Sequence, residues 1–122
     1  MNGSTYLRTL LTSDAALTAL VHAARIKQQY PDSQAIFPLI YYRVLDDFNI
    51  DGDRADDTVY KDQVSYEIQV WCLPNTSTTA ITNEVIRVME LARFNRDMLE
   101  AMTDPETKHA RSIMRWSGEL YR

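Results

Sequence analysis

The chain has 122 residues, 45% of them hydrophobic and 25% charged, and 13 basic against 17 acidic side chains give a formal net charge of −4. These values predict one folded domain, residues 1–122, whose core needs no metal or disulfide. The acidic balance argues against a dedicated nucleic-acid binder, which usually has a basic domain. The single Cys72 excludes an internal disulfide and suits a reducing cytosol. No apolar run approaches the roughly 20 residues that span a bilayer, so no membrane partner is expected.

The first third of the sequence has helical spacing followed by strand signals. Apolar residues at helical spacing predict a helix over residues 4–11, and Ser13 and Asp14 are suitable caps for a second short helix. We expect a short strand near residues 25–29 and a turn at 30–33, where proline and polar side chains occur together. Residues 36–45 predict a strand with apolar residues on both faces, and therefore burial on both sides.

The second half of the sequence has the clearest pattern. Strict alternation over residues 63–72 predicts a strand with one buried face, and Pro74 ends it. An amphipathic helix of about 18 residues follows, from Asn75 or Thr76 to the region of Phe94. A hairpin closes the chain, with one arm near residues 98–103, a turn at 104–107 and a second arm at 109–121.

The predicted order of elements is therefore α-α-β-β-β-α-β-β. Short connections between the last strands favour antiparallel pairing. We predict a two-layer α+β fold, in which a largely antiparallel sheet of four to five strands packs against helices. The opposite face of the sheet is expected to present four polar residues: Glu67, Gln69, Arg111 and Arg115.

No combination of residues predicts catalysis, a cofactor or a metal. Asp51 and Asp53 alternate with Asn49 as at the start of a calcium loop, but the glycine and the final glutamate of such a loop are not in place. We interpret residues 46–62 as a long solvated loop, or as one that becomes ordered against a partner. Cys72 lies on the apolar face of its strand, where a thiol is not activated. An enzyme using the acidic residues remains a competing hypothesis.

The candidate functional residues therefore form interaction surfaces. Trp71 lies on the otherwise polar face of its strand, either as an exposed interface anchor or covered by the acidic loop or the termini. Arg111 and Arg115 share a strand face, which is either solvated with salt bridges to Glu67 or a contact with a subunit or with nucleic acid. The full set of candidate surface residues is Tyr41, Asp51, Asp53, Trp71, Arg111 and Arg115.

The sequence also resembles a known family as a whole. The order of elements, the strand Tyr66-Glu67-Ile68-Gln69-Val70-Trp71 and the helix after a proline-bearing break resemble small tail-terminator and head–tail joining (tail completion) proteins of long-tailed bacteriophages and prophages. The likeness spans nearly the whole chain. It includes no short functional motif, so it assigns no role to any single residue.

The resemblance implies a structural role in the virion. Such proteins form rings, commonly hexamers, at the head-proximal end of the tail, after assembly in the bacterial cytoplasm. The implied partners are copies of the chain itself, the tail-tube protein and the head-completion or connector proteins. DNA passes through the ring without sequence-specific binding, and no cofactor is required. The alternative hypothesis is a small cytosolic adaptor or dimeric binding module without catalytic activity.

Overall fold

A computed structural model of the chain describes residues 3–49 and 61–121. The helices are α1 (Gly3–Thr12), α2 (Ala15–Leu20) and α3 (Thr79–Leu91), with a short 3₁₀ turn at Ala23–Arg25. The strands within the described ranges are β1 (Ile26–Lys27), β2 (Leu39–Asn49), β3 (Lys61–Cys72), β4 (Asn95–Thr103) and β5 (Ala110–Tyr121). This order matches the order predicted from the sequence.

The five strands form one mixed sheet in the order β1-β2-β3-β5-β4. The short β1 is parallel to β2, and the other three pairs are antiparallel. Strands β3 and β5 are the two long central strands, paired from Lys61 with Tyr121 to Cys72 with Ala110. The predicted two-layer α+β fold is therefore confirmed.

The core lies between the three helices and one face of this sheet. Alternate residues of β3 have no exposed surface, as its period-two pattern predicts: Val64, Tyr66, Ile68 and Val70. Met114 and Trp116 extend the same face on β5, and the helices contribute Leu7, Leu11, Leu17, Val85 and Met89. Burial of this apolar surface is the main favourable contribution to folding.

The two ends of the predicted long loop are strand, and its middle, residues 50–60, lies outside the described residues. Strand β2 continues to Asn49 and β3 begins at Lys61, so both ends of the expected loop 46–62 belong to the sheet. A bulge between Val44 and Asp46 shifts the register, and Asp46 then pairs with Ser65. Polar residues are compatible with a strand where the sheet ends in solvent, because pairing uses only the backbone.

The start of β2 and both ends of α3 also differ from the prediction. Ile36 precedes β2 and is 63% exposed, whereas Leu39 and Ile40, on opposite faces of the sheet, are 2% and 0% exposed, so the predicted burial on both sides holds at the start of β2 only. Asn75 has a positive φ of 64° in a turn, and α3 begins later, at Thr79. Arg93, with a φ of 69°, ends α3 because the amides of Arg93 and Phe94 bond back to Glu90 and Met89.

Phe94 and Gly118 position the helices on the sheet. The ring of Phe94 packs against Tyr6 of α1 and Tyr66 of β3 at centroid distances of 6.3 and 5.6 Å. A Cβ at Gly118 would lie only 2.5 Å from Cδ1 of Phe94, so glycine makes room for this ring. The hydroxyl of Tyr66 donates to the carbonyl oxygen of Gly3 at 2.7 Å, which fixes the start of α1.

Candidate interaction surfaces

The outer face of the sheet, defined as the face opposite the helices, has a buried carboxylate at its centre. Glu67 is only 4% exposed, although it lies on the polar side of β3. Nε of Arg43 donates to its Oε2 at 2.8 Å, and Nε of Arg115 lies 3.5 Å from its Oε1. The amide of Gln69 donates to the same Oε2 at 3.1 Å. Glu67 therefore joins strands β2, β3 and β5 through their side chains.

The surroundings of Glu67 keep its carboxyl ionised. Desolvation, the largest single influence, raises the pKa of Glu67. The hydrogen bonds from Arg43 and Gln69 and the charges of Arg43 and Arg115 together outweigh it, so the pKa lies below its ordinary value. The two arginine side chains are half exposed, so they bring their charge to the carboxylate without themselves being fully desolvated.

An aromatic cluster covers the end of the outer face where β2 begins and β3 ends. The ring of Tyr30 packs edge-on against Tyr41 at 5.3 Å and against Trp71 at 5.7 Å. The guanidinium of Arg111 lies 4.9 Å from the ring centroid of Trp71, and its NH1 donates to the hydroxyl of Tyr30 at 3.3 Å. The indole N–H of Trp71 donates to Gln69 at 3.0 Å, which links this cluster to Glu67.

Two grooves of opposite charge flank Tyr30. One, of about 520 Å³, is lined by the cationic residues Arg25 and Lys27 and by His22. The other, of about 570 Å³, is lined by Asp104 and Glu106 of the turn between β4 and β5 and by the stacked pair Phe37 and His109. Backbone hydrogen bonds from Thr107 and Glu106 hold the pKa of Asp104 below its ordinary value, so this groove keeps its negative charge.

The structure brings together four of the six residues predicted to form interaction surfaces. Tyr41, Trp71 and Arg111 lie around Tyr30, and Arg115 joins them through Glu67. Of the two alternatives for Trp71, the covered side chain is the one observed: it is only 4% exposed, and Tyr30 and Arg111 pack against its ring. Asp51 and Asp53 lie outside the described residues.

Sequence reasoning missed Tyr30 and the burial of Glu67. Tyr30 stands before Pro31, where the sequence predicts a turn, although an aromatic residue beside a turn signal can cover a neighbouring strand. Strict alternation places Glu67 on the polar face of β3, which predicts a solvent-exposed side chain. The signal that could have identified the burial of Glu67 was the combination of Arg43, Glu67 and Arg115 on paired strands, which brings one acid between two cations.

Two further observations concern residues 3–49 and 61–121 only. Their His, Cys, Asp and Glu side chains form no group of three that could hold a metal ion. None of the helices found there is long and apolar enough to cross a membrane.

These observations first define the class of protein by its fold. The chain is a small α+β domain with one face of its sheet under helices, a polar and aromatic second face, and β1 and β4 at the two edges of the described sheet. No curated protein sequence matches the chain significantly. A solved chain of the virion of a native gene transfer agent particle has a similar fold, with a TM-score of 0.60 and 13% sequence identity over 93% of this chain and 90% of that chain.

The family model described as tail completion protein gp17 matches residues 5–121. The chain belongs to this family, and it is a structural protein of a phage tail. Membership of the family makes it a virion component that contacts other tail or head proteins. The resemblance stated from the sequence is thereby confirmed.

Proposed function

We propose that the chain forms a homo-oligomeric ring, a hexamer, at the head-proximal end of the tail, where it ends the tail tube and joins the tail to the head. The observation that supports this function most directly is the family match, because it extends over residues 5–121, nearly the whole chain. The similar fold of a chain in a gene transfer agent virion agrees with it. The proposed partners are the tail-tube protein and the head-completion or connector proteins.

The charge of the outer face is compatible with DNA passing through such a ring. Arg43 and Arg115 share the buried Glu67, so one of their two positive charges is neutralised locally. A strongly basic channel would hold DNA through its phosphates, whereas mixed charge allows it to slide. We expect passage without sequence-specific binding, because base readout needs side chains inserted into a groove.

The mass of the purified protein tests ring formation. Size exclusion coupled to light scattering is expected to give the mass of a hexamer of the 14.1 kDa chain, in equilibrium with smaller species at low concentration. A closed ring is the expected result of a head-to-tail contact with the right rotation. A stable dimer at every concentration would contradict the ring, and it would favour the alternative function of a small adaptor or binding module.

A further inference from the structure

The sheet has two long edges without a strand partner among the described residues. Strand β4 is the last strand of the sheet, so the outward edge of its nine residues is open. On the other side, β1 pairs with β2 only at Ile40 and Tyr41, so the edge of residues 42–49 is open as well. Long open edges are templates for strand pairing, and proteins usually protect them with charged side chains, proline or bulges. Strand β4 has no lysine or proline, but it has the charged residues Arg96, Asp97 and Glu100 and one bulge, so a partner for its edge needs matching charges.

The directions of these strands fit a head-to-tail contact. Because β2–β3, β3–β5 and β5–β4 are all antiparallel, β2 and β4 run in opposite directions. A rotation about an axis roughly along the strands keeps strand directions, so β4 of one copy would meet β2 of the next in an antiparallel pair. The helices of both copies would then lie on the same side of one continuous sheet, as a cyclic ring requires.

The two edges also have complementary charges in the same order. The register across the sheet places Asn95 level with Asp46, and Thr103 level with the start of β2. From the start of β2 toward its end, the β1–β2 edge presents two cations and then an acid, Arg25, Lys27 and Asp46, while the Arg43 between them is paired with Glu67. From the same end, the β4 edge presents three acids and then a cation: Asp104, Glu106, Glu100 and Arg96. Asp97, the residue at the β4 bulge, is the exception.

We propose that the outer edge of β4 pairs with the free edge of β2, residues 42–49, in a second copy of this chain, so that the sheets of neighbouring copies join into one. This contact rests on the proposed ring and specifies its subunit interface. In this register the exposed Leu99 lies level with Tyr42, at the start of the free β2 edge, and Asn95 lies level with Asp46. Opposite charges across strands favour this partner over others and fix its direction. Main-chain hydrogen bonds supply the contact, as in other cases of strand addition.

Cysteine crosslinking tests the contact without changing the charges. In a Cys72→Ala background, Leu45→Cys and Leu99→Cys are combined in one chain and treated with a short flexible bismaleimide at high protein concentration. We expect a ladder of covalent oligomers, with at least about tenfold more product than the control, because neighbouring edges have a high effective concentration. The control combines Leu99→Cys with Asn83→Cys, an exposed residue on the solvent side of α3. Light scattering of each variant is measured in parallel.

Each outcome decides between the contact and the ring. Chains with only Leu99→Cys or only Leu45→Cys are expected to remain uncrosslinked, since a head-to-tail contact brings different edges together. Efficient crosslinking of Leu99→Cys alone would show a two-fold β4–β4 contact and overturn the proposal. A hexameric mass without a ladder would overturn the proposal and leave the ring intact. A monomeric mass at all concentrations would overturn both.

Discussion

Trp116→Ala is expected to lower the free energy of unfolding by about 3–5 kcal/mol. Trp116 has no exposed surface and is among the largest fully buried side chains described. It lies on β5 opposite Tyr66, so its loss opens a cavity between the central strands and the helices. Denaturant unfolding followed by far-ultraviolet circular dichroism measures the change, since the substitution removes a fluorescent reporter.

Two variants separate this cavity effect from general damage. Trp116→Phe keeps an aromatic ring and is expected to lose clearly less stability, because the cavity is smaller. Leu91→Ala removes a side chain that is 73% exposed and is expected to change stability by no more than about 0.5 kcal/mol. A loss below about 1 kcal/mol for Trp116→Ala would contradict the described core. The core matters for function because β5 holds β4, the strand with the open edge.

Glu67→Gln is expected to destabilise the protein by about 1–2 kcal/mol at neutral pH, since hydrogen bonds to a charged group are worth more than neutral ones. The substitution keeps the shape of the side chain and removes the charge that faces Arg43 and Arg115. The loss is expected to be smaller than for a fully buried ion pair, because both arginine side chains are half exposed. Urea unfolding at constant ionic strength measures it.

The difference in the free energy of unfolding between the wild type and Glu67→Gln is expected to decrease as the pH is lowered. The pKa of Glu67 is lower in the folded chain than its ordinary value of 4.5, so ionisation stabilises the fold above that pH. The advantage of the wild type is therefore complete above about pH 4.5 and disappears as the pH falls through the lower pKa of the folded state. Glu90→Gln, at an exposed position on α3, is the matched control and is expected to show little change. An advantage that grows below pH 4 would contradict the role of this carboxylate.

The order of elements could be predicted because each has a local signal. Alternation defines β3, and the spacing of Ile81, Val85 and Met89 defines α3. The residues at which elements begin and end were harder to predict. Asn75 suggested a helix cap but lies in a turn with positive φ, and the polar residues after Val44 suggested a loop where backbone pairing continues β2. In both cases the backbone conformation outweighed what the side chains indicate.

The candidate surfaces depended more strongly on contacts distant in sequence. The sequence placed Trp71, Arg111 and Arg115 on one face, and the register confirms this placement. It could not show that Tyr30, far away in the chain, covers Trp71, or that Glu67 is buried between two arginines. The open edges could not be predicted from the sequence either, because they follow from strand order rather than from any local pattern.

Electron microscopy of particles assembled without this chain tests its proposed function most directly. A protein that ends the tail tube and joins it to the head is expected to leave overlong tails that are not attached to filled heads. Supplying the wild-type chain should restore tails of uniform length. Tails of normal length that are attached to filled heads in its absence would contradict the proposed function.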